Sequence, residues 1–202
     1  PGDLFVALQG AHRHGVELWE SAVSAGAVAV FTDRVGADAL SGTDFPVLVA
    51  EDPRATLGPL SSRIYGTHDD HPPVFSVTGT NGKTSCVELG RQLMTASGHA
   101  AASFGTLGIT TQRGRKRTGR IGPGPTALPR LADRLWALGE ESLWFEAFSN
   151  ALGKGLLDRM AVDVAIFTQL GVDHVSVHGS IAGYRAAKER LFTTVVKDGG
   201  TV

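Results

Sequence analysis

The feature that most narrows the fold is Val74-Phe75-Ser76-Val77-Thr78-Gly79-Thr80-Asn81-Gly82-Lys83-Thr84, an apolar run leading into glycines and then Lys-Thr. It reads as a strand that turns through a glycine loop into a helix. Glycines let backbone N–H groups close around phosphate oxygens, and the start of the following helix adds partial positive charge. In such a loop Lys83 reaches the terminal phosphates and the Thr84 hydroxyl suits Mg²⁺. The strict pattern, G-x-x-x-x-G-K-[ST], puts a glycine where this chain has Val77, so the loop is a variant. Gly79, Thr80, Asn81, Gly82, Lys83 and Thr84 are the candidate phosphate-binding residues. The bland alternative is a tight strand-to-helix turn whose lysine merely caps the sheet.

Strands alternate with helices on both sides of this loop. Before it, Leu4–Leu8, Ala27–Phe31 and Val47–Ala50 are short apolar strands. Glu17–Ala25 is helix-like and ends at Gly26. Asp52 precedes Pro53 as a helix cap, and Gly66 closes that helix. The polar, proline-terminated His68–Pro73 is the best linker in the chain. After it, the loop helix places Cys86, Leu89, Leu93 and Met94 on one side. Ala127–Leu138 has leucines at helical spacing, and Ser180 caps a helix over Ile181–Phe192. Leu143–Phe148 and Val162–Thr168 are near-continuous apolar runs, as in strands covered on both faces.

This order predicts an α/β fold: a small unit over residues 1–70, then a doubly wound, mostly parallel sheet over 71–202. Gly199-Gly200-Thr201-Val202 reads as a turn entering a further strand, so the second domain is expected to be incomplete.

The bulk properties exclude several classes. With a net charge of -1 there is no basic field to favour nucleic acid. No apolar run approaches the ~20 residues needed to span a bilayer, so no membrane insertion is expected. A single cysteine, Cys86, allows no internal disulfide and suits a cytoplasmic protein.

Three further residues stand out. Glu146 lies inside the apolar run Leu143–Phe148, where a carboxylate needs a partner. That partner is a core cation, solvent at the strand end, or a metal ion; hard oxygen ligands suit Mg²⁺. Lys188 shares a helix face with Ile181, Tyr184, Leu191 and Phe192. Its ammonium either snorkels to the edge or is desolvated towards a neutral amine that can react with CO₂. His174 follows Phe167–Asp173 at the carboxyl end of a strand, where α/β sheets place ligands. His178 carries no such signal and reads as surface. Arg113, Arg115, Lys116, Arg117 and Arg120 form a basic run. It is either a solvated hairpin between Gly108 and Gly122 or a clamp for an anionic acceptor.

Thr78–Thr84 resembles the ATP loop of the Mur ligases and the related folylpolyglutamate synthetases. Pro1–Leu8 is similar to the opening of the UDP-binding domain in the muramyl-tripeptide synthetase branch. Phe167-Thr168-Gln169-Leu170, Asp173-His174 and Ala186-Ala187-Lys188-Glu189-Arg190-Leu191-Phe192 are similar to later blocks of that branch. The resemblance implies an ATP-dependent amide ligase that adds the third amino acid to a UDP-linked muramyl dipeptide, working through an acyl phosphate. It implies ATP and Mg²⁺ as cofactors, with Thr84, Glu146, His174 and a carbamylated Lys188 as metal ligands. Lys83, His174 and Lys188 become the catalytic set. A third domain, which selects the incoming amino acid, lies outside these residues.

The same comparison shows departures. Gly122-Pro123-Gly124-Pro125-Thr126 stands where the branch has Thr-Thr-Pro and an acid. Phe148-Ser149-Asn150 replaces the usual Ser-Ser-His, and Arg13-His14-Gly15 replaces an acid-glycine pair. Ser149 and Asn150 are therefore the candidate substrate contacts. The departures sit on the acceptor side, which leaves open a ligase for a different carboxylate in specialised metabolism, or a relative that binds nucleotide without catalysis.

Overall fold

The computed structural model describes residues 1–10, 12–67, 71–117, 126–158, 160–171 and 175–202, with only the backbone of Val175. The chain divides into two compact units, Pro1–Leu57 and Gly58–Val202. His68, Asp69 and Asp70, the start of the expected linker, lie outside the described residues.

In the first unit, β1 (Asp3–Ala7), β2 (Ala27–Thr32) and β3 (Val47–Val49) form a parallel sheet in that order. Ala7, Val16, Val30 and Leu40 are buried, with Phe5, Trp19 and Phe45 packed against them. The helix expected over Glu17–Ala25 is split into a 3-10 turn, Gly15–Leu18, and α1, Trp19–Ser24. The split has a local cause, because the His14 ring accepts a bond from Val16 N and tightens the first turn. A second short helix, α2 (Arg34–Ala39), has no apolar periodicity to announce it. Asp33 caps it by accepting from Gly36 N at 2.9 Å. That bond, opposed by burial and helped by the His14 ring, holds the Asp33 carboxyl below its ordinary 3.8.

Helix α3 (Pro53–Ile64) follows, with Asp52 accepting from Arg54 N and Ala55 N as the sequence predicts. The second unit is built on seven strands: β4 (Val74–Thr78), β5 (Ala101–Gly105), β6 (Gly108–Thr111), β7 (Gly114–Lys116), β8 (Ser142–Glu146), β9 (Val162–Phe167) and β10 (Val196–Thr201). They are ordered β10-β9-β4-β8-β5-β6-β7. The first five run parallel, while β6 and β7 add an antiparallel hairpin at one edge. The sheet is thus mixed, with the parallel core expected of a doubly wound α/β fold.

Alternation along the central strands sorts the core into two layers. Val74, Leu143 and Phe145 face α5 (Ala127–Ala137) and α6 (Ser149–Gly153), packing with Leu128, Leu135 and Leu152. Val77 and Trp144 face α4 (Lys83–Ala96), packing with Val87. On α4 the structure corrects the sequence-based face. Leu89 and Leu93 are exposed, and the covered side is Cys86, Val87, Gly90 and Met94. An aliphatic count cannot see that Gly90 lies against Trp144, where a Cβ would fall 2.2 Å from the ring. Gly199–Thr201 are also not a turn, since they complete β10 beside β9; a register shift and Gly199 at φ 77° take up the glycine pair inside the strand.

The remaining helices are α7 (Val175–His178) and α8 (Ile181–Arg190), with a π-helical turn over Leu191–Val195. Ser180 caps α8 by accepting from Gly183 N. Among the described residues, no helix is long and apolar enough to cross a membrane.

Candidate active site

The site sits at the carboxyl ends of β4 and β8, which are neighbours in register, Val77 beside Glu146. Open α/β sheets hold ligands at such ends because loops there are free of the ladder and helix starts point inward. From β4 the chain enters Gly79 at φ 145° and Gly82 at φ 86°, conformations that L side chains rarely adopt. Space demands glycine at 79 as well, since a Cβ there would lie 1.9 Å from Thr168 Oγ1. Helix α4 then starts with Lys83 and Thr84 in its first turn.

Lys83 Nζ donates to the carbonyl oxygens of Gly79 and Thr80, both at 2.9 Å. The Thr84 hydroxyl donates to Glu146 Oε1 at 3.0 Å. Glu146 is 4% exposed and accepts two more bonds, from Thr106 N at 2.7 Å and from the Thr106 hydroxyl at 3.1 Å. Among the described residues no salt bridge partners this carboxylate, and at 4% exposure it does not face open solvent. Gly105 lets it sit so close, because a Cβ there would fall 2.2 Å from Oε1.

The pair fits a magnesium ion. Mg–O bonds of about 2.0–2.1 Å in an octahedron put neighbouring oxygens about 3 Å apart, which is the Thr84–Glu146 spacing. The donors are hard oxygens, the type Mg²⁺ prefers.

Thr80 is committed elsewhere. Its N–H donates to Gln169 O, its hydroxyl oxygen accepts from Gly171 N at 2.8 Å, and it meets the Tyr184 hydroxyl at 3.2 Å. The Thr168 hydroxyl donates to Asn81 O at 2.6 Å. The segment after β9 therefore clamps the glycine loop from one side. Asp173 and His174, which follow that segment, lie outside the described residues.

Lys188 is 2% exposed, so its ammonium does not snorkel to the edge. Nζ donates to Gly79 O at 2.7 Å and lies 4.6 Å from the centre of the Tyr184 ring. Its stripe is as expected at Tyr184 and Leu191, both buried, whereas Ile181 is exposed.

A cavity of about 200 Å³ opens beside the loop, lined by Lys83, Ser149, Asn150, Tyr184 and Lys188 among others. Ser149 is buried and Asn150 exposed. The structure corrects the surface assignment of His178. Its ring is half-buried, Nε2 is 3.0 Å from Ser149 Oγ, and it lies beside the Tyr184 ring. Sequence reading also missed Thr106. The nearest signal was the glycine before it, which reads as a turn and not as room for a carboxylate.

The basic run is partly accounted for. Gly108–Lys116 form the β6–β7 hairpin, and Arg113, Lys116 and Arg117 are exposed on it. Arg115 donates to Glu88 Oε2 at 2.8 Å and to the Thr110 hydroxyl, so that arginine braces the hairpin on α4. Gly119, Arg120 and Gly122–Pro125 lie outside the described residues.

The profile of the Mur ligase middle domain matches residues 77–202, more than half of the chain and the whole of this site. The chain belongs to the Mur ligase family. It is 41% identical over 200 residues to the UDP-N-acetylmuramoyl-L-alanyl-D-glutamate--2,6-diaminopimelate ligase of Agrobacterium fabrum, covering 98% of this chain and 39% of that protein. The ligase of the same name from Bradyrhizobium diazoefficiens is 38% identical over 200 residues, covering 99% of this chain and 40% of the relative. The chain thus spans about two fifths of these curated relatives. A solved structure of a ligase with that name superposes with a TM-score of 0.76 at 26% identity, over 95% of this chain and 38% of that one. A MurF ligase from Thermotoga maritima, solved in complex with ADP, shares the Mur ligase fold with a TM-score of 0.67 over 100% of this chain and 43% of its own.

Proposed function

We propose that these residues are the acceptor-binding and ATP-binding front of an ATP-dependent amide ligase that works in the cytoplasm on peptidoglycan precursors. The acceptor is a UDP-linked muramyl dipeptide and the incoming amine an amino acid, 2,6-diaminopimelate by likeness to the named relatives. The observation that carries the proposal is the meeting of Thr84 with Glu146 beside Lys83 and Lys188 at one end of the sheet.

ATP supplies the phosphoryl group that turns the acceptor carboxylate into an acyl phosphate, from which the amine displaces phosphate; magnesium ions neutralise the transferring charge. Thr84 and Glu146 are the residues to hold one ion; His174 and Lys188, as its carbamate, are those for the second. Lys83 has to leave the carbonyls of Gly79 and Thr80 to meet a phosphate, and the exchange is favourable because a phosphate oxygen is a stronger acceptor than a peptide carbonyl. Gly79, Asn81 and Gly82 shape the loop around the phosphates. Thr80 fixes the loop to the segment after β9 and offers a phosphate no free N–H. Ser149 and Asn150 sit on the cavity wall where the acceptor would lie.

The test is product formation by the full-length protein with ATP, Mg²⁺, UDP-muramyl-dipeptide and candidate amino acids. A tripeptide product supports the proposal. Asn150 at the cavity rim keeps one second reading in play: ADP release only with other carboxylic acids would make the protein a ligase for a different acceptor. Nucleotide binding without turnover under any condition would make it non-catalytic.

A further inference from the structure

We infer that His178 is a positioning residue for the acceptor: its imidazole orients the Ser149 hydroxyl so that the hydroxyl proton is donated into the cavity, to an anionic oxygen of the substrate. The inference rests on the ligase reading above and assigns a role to a residue that the sequence leaves on the surface.

Several observations converge on it. Ser149 opens α6 after Ala147 and Phe148 at the end of β8, is 6% exposed and lines the cavity. A serine hydroxyl has one proton to give and two lone pairs to receive. Nε2 of His178, at 3.0 Å, takes one of those places. When Nε2 carries the hydrogen it fills a lone pair, and the hydroxyl proton is left to face the cavity. The cavity is also lined by Lys83 and Asn150, residue types suited to an anion.

The imidazole is held where it is. Helix α7 is a single turn ending at His178, and its last carbonyl packs against α8 so closely that a Cβ on Gly183 would lie 2.5 Å from His178 O. The ring lies 5.5 Å, centre to centre, from that of Tyr184, and a Cβ on Gly153 would come to 3.5 Å of its Cε1. Gly183 and the Tyr184 ring therefore shape the perch of a side chain that meets Ser149 through Nε2. The Tyr184 hydroxyl in turn meets Thr80 of the glycine loop. His178 thus stands on the acceptor side of a chain of contacts whose other end is the nucleotide side.

The experiment uses the full-length enzyme with UDP-muramyl-dipeptide as the varied substrate. His178→Ala is expected to raise the KM for the acceptor about tenfold, the loss of one hydrogen bond to a charged group, while the KM for ATP stays within about twofold. His178→Gln, whose amide nitrogen can donate from a similar place, is expected to recover most of that loss. Ser149→Ala should show the same acceptor defect, and adding His178→Ala to it should cost less than about twofold more, because both act through one hydroxyl. Thermal melts of the four proteins check that they are folded.

Independent effects of the two substitutions, no recovery in His178→Gln, or an equal rise in the KM for ATP would each overturn the inference. Absence of product from the wild-type enzyme with any carboxylate would instead remove the ligase reading, and is told apart by that control.

Discussion

Lys83 and Lys188, which come from helices at opposite ends of the second unit's sequence, donate to the same carbonyl oxygen, that of Gly79, at 2.9 and 2.7 Å. Two ammonium groups that share one acceptor lie close enough to repel each other. An anion placed between the two ammonium groups would offset that repulsion. Carbamylation of Lys188 would change its sign, removing the repulsion and adding a carboxylate where a second cation is proposed.

Lys83→Ala is expected to lower turnover by at least about 10²–10³-fold, since the ammonium is a preorganised donor to charge that develops in the transition state. The check is steady-state phosphate release at saturating ATP. Substantial remaining activity would remove Lys83 from the phosphate-binding role.

Lys188→Ala is expected to be strongly impaired and to regain part of its activity when a short-chain carboxylate is added. A small acid can enter the space left by the side chain and stand in for the carbamate. Burial makes the substitution a stability risk too, so the variant's melting curve belongs beside its kinetics. Full activity without additive, or no regain across a range of acids, would count against the carbamate.

For the metal, Thr84→Ala and Glu146→Gln should each raise the Mg²⁺ concentration for half-maximal turnover by at least about tenfold. Glu146→Gln keeps an oxygen for Thr106 N and so separates charge from packing. A magnesium requirement unmoved in both variants would mean that the pair is a structural hydrogen bond alone.

Much of this was legible because the chemistry is local in sequence. The loop Gly79–Thr84, the caps Asp52 and Ser180, and the charged residues inside apolar runs, Glu146 and Lys188, each announce themselves within a few positions. What could not be read depends on contacts far apart in the chain. Thr106 reaches Glu146 across 40 residues, and His178 reaches Ser149 across 29. On α4 hydrophobicity favours Leu89 and Leu93 as the buried side, whereas the covered face includes a glycine that lets the helix approach Trp144.

That last contact makes a prediction independent of the chemistry. In an exposed helix, Gly→Ala is stabilising by up to about 1 kcal/mol. At Gly90 the new Cβ would lie 2.2 Å from Cζ3 of Trp144, with Cη2 and Cε3 at 2.4 and 2.5 Å. The indole cannot simply retreat, because its other face stacks on Phe75 at 4.1 Å and 3°. Overpacking of this kind costs about 1–3 kcal/mol, which exceeds the helical gain. Gly90→Ala should therefore lower the melting temperature, by roughly 2–4 °C for each kcal/mol of net loss in a protein of this size. Combining it with Trp144→Phe, which shortens the ring on the α4 side, should make the alanine less costly than it is alone. A rise in melting temperature for Gly90→Ala by itself would show that α4 does not approach the sheet as closely as described, and with it the seating of Lys83 and Thr84 at the head of that helix would be in doubt.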